Sequence, residues 1–386
     1  MKYADIKAPK PISKIGLGTW QFGASEWGYG EPYAEREATA IVRRAVELGV
    51  TLFDTAEIYG AGRSERILGR ALGEHRESVF LATKIFPVLP GARAVRQRAL
   101  ASARRLGVTR IDLYQAHWPT PLIGPASPMG GMRELRQSGR VTEVGVSSYS
   151  LKQWKDAEAA LGSRVLSNQV SYSLVARAPE RDLLPFAEAD GRLVIAFSPL
   201  GMGLLSGRYH GAGARLPTDR VRLASSLFRP EFLERTSPLI AVLRDVADAH
   251  HATPAQIALA WAIRSPAVTA IPGAATVQQL ESNVAAAEIS LASDEYQELS
   301  AASAGLTPAE ARPGTSLRRR RAAVRSNLGA LKHTARGAWM VAQTMRLDHQ
   351  YQDPAPAPDP AAVAPAQAPQ APPGSGAGGA ERDQRL

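Results

Sequence analysis

Apolar positions recur along this chain at two different spacings. Between residues 35 and 50 they fall on one helical face, which carries Ile41, Val42, Ala45 and Leu48. Gly49 then provides a helix stop, and the apolar run TLFDT that follows is typical of a buried strand. The pattern therefore predicts a helix followed directly by a strand.

The same alternation continues through the body of the chain. Helical periodicity near 63–72, 94–105 and 129–138 precedes the apolar runs VFLATK, IDLYQAH and VTEVGVSS. The runs LSNQVSY and RLVIAFS follow, and VTAIPG comes after a helical stretch near 253–264. With the early segment GLGTWQF counted as the first strand, the pattern predicts eight strands.

Polar residues close most of these predicted strands, namely Asp54, Lys84, His117, Ser147, Gln169 and Ser198. The intervals between them are 30, 33, 30, 22 and 29 residues. A strand–helix–strand unit needs roughly 30 residues. Eight parallel strands with reactive side chains at their C-terminal ends are typical of a (β/α)8 TIM barrel, an α/β fold. Alternation alone also permits an open, doubly wound sheet.

The interval between Ser198 and Ile271 is 73 residues, far longer than one strand–helix unit requires. We expect it to contain a long loop, about 199–235, and a loop of this length over the barrel mouth is a candidate lid. The barrel itself is expected to occupy residues 1–305.

The composition changes after the predicted barrel. Residues 316–347 have the pattern of a basic amphipathic helix that could dock on a membrane surface or a protein partner. A partly ordered, solvated extension is the alternative. The Pro/Ala-rich end has almost nothing to bury, which predicts disorder. We therefore divide the remainder into a basic extension over 306–350 and a disordered tail over 351–386.

The formal net charge is +10, and half of this excess lies in residues 306–386. The modest excess on the body suits a phosphate-bearing cofactor and does not require nucleic acid. Because the chain has no cysteine, disulfides, thiolate metal sites and a cysteine nucleophile are excluded. No apolar run approaches the roughly 18 residues of a membrane span. The expectation is a soluble, cytoplasmic protein.

Four reactive side chains stand at or just after the predicted strand ends. Asp54 ends a strand in FDTAEIYG, and Tyr59 follows in the loop. LATK ends in Lys84, and YQAHWP contains His117. Singly, each residue has an ordinary structural role in capping, packing or solvation. Together they would bring an acid, a phenol, an amine and an imidazole to one barrel mouth.

Several separated segments match a known pattern in both order and spacing: GLGTWQFG, FDTAEIYGAGRSERILGRAL, FLATK, DLYQAHWP, GVSSYS, NQVSYS and AFSPLGMGLLSGRY. Through them the chain closely resembles the aldo-keto reductase superfamily over about residues 12–303. The resemblance implies an NAD(P)(H)-dependent oxidoreductase that interconverts aldehydes or ketones and alcohols by hydride transfer. It also implies a catalytic tetrad of Asp54, Tyr59, Lys84 and His117.

The chemistry explains why these residue types are needed. Hydride addition to a carbonyl develops an alkoxide, which requires a proton donor at the oxygen. We expect Tyr59 to be this general acid/base, assisted by the positive charge of Lys84, since a nearby ammonium favours the phenolate. Asp54 would keep Lys84 in place and charged, and His117 would orient or polarise the substrate carbonyl. No metal is needed.

The resemblance also implies a cofactor site, formed by Ser147, Asn168, Gln169, Phe197, Ser198, Leu200, Gly201, Gly273, Thr276, Gln279 and Asn283. Many NADPH-binding relatives carry Arg or Lys for the 2′-phosphate where this chain has Ala275, and others carry Arg where it has Gln279. NADP(H) is favoured over NAD(H) on the habit of the family alone.

The implied substrate is a small-molecule carbonyl or alcohol. Its pocket would be apolar and aromatic, with Trp20, Phe86 and Trp118 as candidate lining residues. An alternative from a different class is a catalytically slow, cofactor-binding sensor or docking subunit that uses the basic C-terminal tail. The complete set of four reactive residues argues for turnover.

Overall fold

The computed structural model describes residues 1–23, 32–86, 91–119, 124, 126–211, 213–214 and 216–306. The helix predicted over 316–347 and the tail predicted over 351–386 lie outside the described residues. So does all but the first residue of the extension predicted over 306–350. These expectations stay predictions.

The strands are β1 (Leu17–Gly18), β2 (Leu52–Asp54), β3 (Phe80–Ile85), β4 (Ile111–Ala116), β5 (Val141–Ser147), β6 (Ser167–Ser171), β7 (Leu193–Phe197) and β8 (Val268–Ala270). Neighbours pair in parallel, and their order in the sheet follows the chain from β1 to β8.

The last strand meets the first. Ile15, just before β1, forms a parallel bridge with Ala270 in β8, and the Gly16 N–H donates to the Ala270 carbonyl at 2.8 Å. The sheet therefore closes on itself, and the expected (β/α)8 TIM barrel is confirmed. An open doubly wound sheet is excluded, because its strand order would reverse at the middle of the sheet.

Helices alternate with the strands. They are α1 (Pro32–Glu47), α2 (Arg63–Leu72), α3 (Ala92–Leu106), α4 (Ala126–Gln137), α5 (Leu151–Leu161), α6 (Leu183–Ala189), α7 (Arg220–Leu223), α8 (Pro230–Ala249), α9 (Pro254–Ala262), α10 (Val277–Ala285) and α11 (Ser293–Ala302). The helices predicted from periodicity correspond to α1, α2, α3, α4 and α9. None of the described helices is both long and apolar enough to cross a membrane.

The segment expected as a long loop over 199–235 contains more regular structure than predicted. A 3-10 turn spans Gly201–Ser206, α7 and a second turn at Ser226–Phe228 follow, and α8 begins at Pro230. Phe228 and Phe232 are buried in the hydrophobic core. The turns are too short for periodicity to reveal them, and they anchor much of this segment on the barrel.

Alternation along each strand builds two apolar layers. In β3, Phe80 and Ala82 belong to the cluster inside the barrel, whereas Leu81 and Ile85 belong to the cluster between the sheet and the helices. In β4, Leu113 faces inward and Tyr114 outward by the same two-residue period. The interior of the barrel is therefore packed with side chains, and the open positions lie at the C-terminal ends of the strands.

Candidate active site

The two-residue period of the strands carries polar side chains to the top of the barrel interior. Leu52 in β2 lies in the interior cluster, so Asp54 two residues later is on the same face. Phe80 and Ala82 place Lys84 on the interior face of β3 in the same way, and Leu113 places Gln115 there in β4. In each of these three strands the last inward position is thus polar, where the inner apolar layer ends.

Lys84 and Asp54 form a buried ion pair. The Lys84 side chain is 0% exposed, and its Nζ donates to Asp54 Oδ1 at 2.5 Å and to the Thr55 carbonyl at 2.8 Å. Asp54 Oδ2 accepts from Gln169 Nε2 at 2.8 Å and from Gln115 Nε2 at 3.3 Å. Buried charges are stable only when they are paired and hydrogen-bonded, and both conditions are met here.

These contacts keep Lys84 protonated. Burial alone would lower the pKa of its ammonium, but the Asp54 carboxylate and the Tyr59 hydroxyl more than offset this effect. The pKa of Lys84 therefore lies above its ordinary value, and the side chain is a fixed positive charge.

Tyr59 lies in the loop between β2 and α2, with its hydroxyl oxygen at Lys84. Lys84 Nζ donates to that oxygen at 3.4 Å and lies 5.1 Å from the centre of the ring. The loop takes this course through Gly60, whose φ is +57° and whose Cα faces Gly23 so closely that a Cβ would come within 2.2 Å of the Gly23 carbonyl oxygen. Only glycine fits at that crossing.

Two opposing effects act on the Tyr59 phenol. Burial raises its pKa, and the Lys84 ammonium lowers it in part, with a net value above the ordinary one. The Lys84 ammonium favours the phenolate, as expected, but burial favours the neutral phenol more strongly. The phenol is protonated at neutral pH and available as a donor, with a cation in place to stabilise the tyrosinate that donation would leave.

His117 follows β4 and is buried beside Tyr59. The two rings meet edge to face with centroids 5.9 Å apart. His117 Nδ1 has no hydrogen-bond partner within the described part of the chain. Burial and the Lys84 charge hold the pKa of His117 well below its usual range, so the imidazole is neutral. The neutral ring can donate a hydrogen bond to a ligand or accept one from it, but it carries no charge.

An aromatic wall adjoins His117. Trp118 stacks on the imidazole with centroids 4.1 Å apart, and Phe86 meets the Trp118 ring edge to face at 5.1 Å. Phe86 is buried, whereas Trp118 is 39% exposed. Trp20 is 46% exposed after β1, and no ring contact among the described residues joins it to this wall. The structure thus brings together two of the three predicted pocket residues.

Asn168 and Gln169 are neighbours within β6 and bind different partners. Asn168 Nδ2 donates to the Tyr149 carbonyl at 2.8 Å, which supports the turn after β5. That turn needs support because Ser148 has a φ of +59°. Gln169 donates to Asp54, as described above. Ser147 is buried at the end of β5, beside this turn.

The turn after β7 has a backbone in an unusual conformation. Positive φ angles occur at Ser198 (+49°), Gly201 (+54°), Met202 (+57°) and Gly203 (+94°). Non-glycine residues in this region are strained and concentrate at functional sites. Within the turn, the Gly201 N–H donates to the Ser198 carbonyl at 2.9 Å and the Gly203 N–H to the Leu200 carbonyl at 3.0 Å. Phe197, Ser198 and Leu200 are half-buried here. The half-buried Phe197 ring thus stands beside a turn of strained backbone.

The start of α10 forms a second turn near the barrel mouth. Thr276 caps the helix by accepting from the Gln279 N–H at 3.1 Å, and Gln279 Oε1 accepts from the Ala275 N–H at 2.9 Å. Asn283 Nδ2 donates to the Gly273 carbonyl at 3.3 Å. Ala275, Thr276 and Gln279 are exposed. The predicted adenosine contacts therefore share one turn, which has no cation at 275 or 279.

Some functional contacts were missing from the sequence prediction. Gln115 binds the Asp54 carboxylate. The only sign of this in the sequence is that Gln115 follows Leu113 by two residues in the run IDLYQAH and so lies on the same face of the strand. Glu57 also went unnoticed, although it lies between Asp54 and Tyr59 in sequence. Among the described residues, no group of three or more His, Cys, Asp or Glu side chains could hold a metal ion.

Comparison with known proteins agrees with this geometry. The model of the aldo/keto reductase family matches residues 14–304. An uncharacterized oxidoreductase of Mycobacterium tuberculosis (strain H37Rv) is 52% identical over 308 residues, which cover 80% of this chain and 94% of the relative. A methylglyoxal reductase of Escherichia coli (strain K12) is 33% identical over 286 residues, covering 74% and 88%.

A solved structure shows the same architecture. The crystal structure of an aldo/keto reductase from Klebsiella pneumoniae in complex with NADP and acetate superposes with a TM-score of 0.64 at 29% identity. It covers 81% of this chain and 98% of its own. Since the family model spans well over half of the sequence, the chain belongs to the aldo/keto reductase family of NAD(P)H-dependent oxidoreductases.

Proposed function

We propose that this protein reduces aldehydes and ketones to alcohols with NADPH, and that the Tyr59 hydroxyl donates the proton. The observation that carries the proposal is the Lys84 ammonium, which contacts both the Asp54 carboxylate and the Tyr59 oxygen. A phenol is an efficient general acid only when its tyrosinate is stabilised, and this contact provides the stabilising charge.

A bound nicotinamide supplies the hydride that adds to the carbonyl carbon. As that bond forms, the carbonyl oxygen gains an electron pair and takes the proton from Tyr59 Oη, so that a neutral alcohol results. The tyrosinate left behind faces Lys84, whose own position is held by Asp54. Neutral His117 provides a hydrogen bond that orients the carbonyl. Tyr59 recovers its proton from solvent, since it is partly exposed.

The cofactor site proposed for this chain runs over the end of β5, the middle of β6, the turn after β7 and the segment from β8 to α10. Ser147, Asn168 and Gln169 would hold the carboxamide of the nicotinamide, and Phe197 would stack on its ring. Ser198, Leu200 and Gly201 would line the pyrophosphate, and the adenosine end would meet Gly273, Thr276, Gln279 and Asn283. The positive-φ backbone at Ser198 and Met202 supports this assignment, because strained non-glycine residues concentrate at functional sites.

NADP(H) is the preferred cofactor in this proposal. The Klebsiella pneumoniae structure holds NADP. The exposed start of α10 offers backbone N–H groups and a favourable dipole to a phosphate. Because no cation stands at 275 or 279, we expect the preference for NADPH over NADH to be modest.

The substrate pocket is proposed to be aromatic and to take small carbonyl compounds. Phe86 and Trp118 flank His117, so a flat or apolar group next to the carbonyl would pack against their rings. Trp20 would complete the pocket from the other side. The methylglyoxal reductase among the relatives suggests small α-oxoaldehydes as a first substrate class.

The test is direct. NADPH and NADH are titrated into the purified protein while tryptophan fluorescence is followed, and the loss of nicotinamide absorbance is then measured with a panel that includes methylglyoxal and aromatic aldehydes. Binding followed by oxidation of NADPH supports the proposal. Tight binding without turnover on any carbonyl contradicts the catalytic part, and absence of binding contradicts the whole.

A further inference from the structure

Glu57 is a buried carboxylate that the proposed chemistry does not use. Its side chain is 4% exposed. It lies in the loop between β2 and α2, two residues before Tyr59. Burying a carboxylate is costly unless its oxygens are bonded, and this one is fully engaged. Oε1 accepts from the Phe86 N–H at 2.6 Å, and Oε2 accepts from Arg98 Nε at 3.0 Å.

Arg98 completes the contact as a two-pronged ion pair. Its Nη2 also donates to Glu57 Oε1, so both nitrogens of one side of the guanidinium bind the same carboxylate. Arg98 comes from α3 and is buried as well. Such a fork fixes the direction of the carboxylate as well as its distance, which a single hydrogen bond does not.

The Glu57 backbone makes a further contact to the same strand. Its N–H donates to the Lys84 carbonyl at 3.4 Å, while its side chain binds the Phe86 N–H. One residue of the Tyr59 loop therefore contacts the backbone on both sides of Ile85, the last residue of β3. These contacts join the segment that carries Tyr59 to the two residues that provide the ammonium and the pocket wall.

The opposite side of the loop is held differently. Ser64 Oγ lies 2.8 Å from Thr19 Oγ1 and 3.0 Å from Thr55 Oγ1, and Gly60 crosses Gly23 at close range. These contacts join the loop to β1 and α2. The carbonyl of Thr55, at the start of the loop, accepts from Lys84 Nζ at 2.8 Å. Glu57 lies closer to Tyr59 in sequence and adds contacts to the Lys84 carbonyl and the Phe86 N–H.

We propose that Glu57 and Arg98 are positioning residues that set the distance between the Tyr59 hydroxyl and the Lys84 ammonium. Neither touches the reacting atoms. This inference rests on the proposed role of Tyr59 as proton donor. Replacing a buried ion pair by apolar residues is often neutral or stabilising, so geometry is a better reason for a charge here than stability.

A second buried pair in the same layer provides a matched control. Glu65 in α2 binds Arg105 Nε at 2.6 Å and accepts from the Thr83 hydroxyl at 2.6 Å. It resembles Glu57 in burial and in its arginine partner. Glu65 contacts the side chain of Thr83, which points away from the barrel interior. Unlike Glu57, it forms no hydrogen bond with the backbone of Lys84 or Phe86 in the described part of the chain.

The experiment compares Glu57→Gln with Glu65→Gln in the full-length protein. Glutamine keeps the shape and one acceptor but loses the charge that holds the arginine. Thermal midpoint, NADPH Kd, kcat and KM are measured for each variant. Tyr59 is titrated through the tyrosinate absorbance, as the difference between each variant and the same variant carrying Tyr59→Phe.

We expect both variants to lose thermal stability but only Glu57→Gln to affect the phenol. A loop displaced by about 1 Å lowers kcat about a hundredfold, with NADPH affinity unchanged. The titration of Tyr59 moves to higher pH, because the Lys84 charge that lowers its pKa is then farther away. Glu65→Gln leaves this titration where it is. Arg98→Lys keeps both charges of the pair but loses the two-pronged contact with Glu57. We expect it to move the Tyr59 titration to higher pH as Glu57→Gln does.

Two results overturn the proposal. One is a Tyr59 titration that is identical in Glu57→Gln, Arg98→Lys and the unmodified chain. The other is a loss of kcat that is equal in Glu57→Gln and Glu65→Gln and follows their stability. If the unmodified protein reduces no carbonyl, the proposed function fails, but the Tyr59 titration still decides the positioning role. If Glu57→Gln does not fold, the Tyr59 titration in Arg98→Lys decides the positioning role instead.

Discussion

The Lys84 ammonium lies 3.4 Å from the Tyr59 hydroxyl oxygen in a site where the amine is wholly buried and the phenol partly exposed. The charge that acts on the phenol is thus shielded from water. Electrostatic stabilisation is strongest where water is excluded, and proton transfer requires access. The same contact connects the predictions below.

Replacing Tyr59 by Phe removes the proton donor and keeps the ring. We expect kcat for carbonyl reduction to fall about 10²- to 10⁴-fold, the range of general acid catalysis. NADPH affinity stays as it was, because the proposed cofactor contacts lie on other strands. The measurement is steady-state kinetics alongside fluorescence titration. Tyr3→Phe, at the opposite end of the barrel, serves as the control, and undiminished turnover in Tyr59→Phe excludes this residue as the acid.

The pH dependence of kcat follows from the direction of two pKa shifts. Tyr59 must be protonated to act, and burial, only partly countered by Lys84, places its pKa above the ordinary value. Reduction therefore stays level through neutral pH and declines only above about pH 10. Burial and Lys84 lower the pKa of His117 well below its usual range. A decline of kcat centred near about pH 6.5, the ordinary histidine value, contradicts a neutral His117.

His117 also predicts how stability depends on pH. Since its pKa is depressed in the folded state, the unfolded chain binds more protons below about pH 6.5. The contribution of neutral His117 to the free energy of unfolding is therefore present above that pH and declines as the pH falls. His117→Gln should remove this part of the slope. Urea unfolding of both proteins at pH 7 and pH 5, chosen as about half a unit above and a unit and a half below that value, tests it. An unchanged slope contradicts burial of the neutral form.

Much of the barrel and its site could be predicted from the sequence, for a physical reason. Strand alternation is local, so the phase of Leu52 and Asp54, or of Phe80 and Lys84, can be assigned from neighbouring residues alone. The partners of these side chains depend on how adjacent strands are staggered. Gln169 is far from Asp54 in sequence, and only the closed barrel brings its amide to within 2.8 Å of the carboxylate. The turns over 199–235 are equally non-local, because buried contacts stabilise them.

Removing residues 307–386 tests the proposed domain boundary. α11 is anchored to the barrel, since Leu299 is buried and Tyr296 stacks on Trp261 with centroids 5.7 Å apart. Leu306 still packs against the hydrophobic core. We therefore expect a chain that ends at Leu306 to fold and to keep its NADPH affinity and kcat. Circular dichroism and kinetics measure this. Loss of folding would contradict a barrel that is complete by about residue 305.

A substitution at the exposed position 275 is expected to change the preference between NADPH and NADH. Ala275 directly precedes the Thr276 cap of α10, and its side chain is exposed, so a longer side chain there displaces nothing. Arginine at 275 offers a charge-assisted hydrogen bond, about 1.5–3 kcal/mol, to a 2′-phosphate. Ala275→Arg should therefore tighten NADPH about tenfold to a hundredfold and leave NADH affinity unchanged, as 1.4 kcal/mol is about tenfold.

The uncharged variant Ala275→Gln separates charge from contact. Titrations of both cofactors at low and high salt complete the test, because attraction between an exposed guanidinium and a phosphate weakens as ionic strength rises. A gain for NADPH in Ala275→Arg that disappears in high salt and is missing in Ala275→Gln supports an adenosine site at the start of α10. An equal gain for NADH, or none for either cofactor, indicates that the 2′-phosphate lies elsewhere.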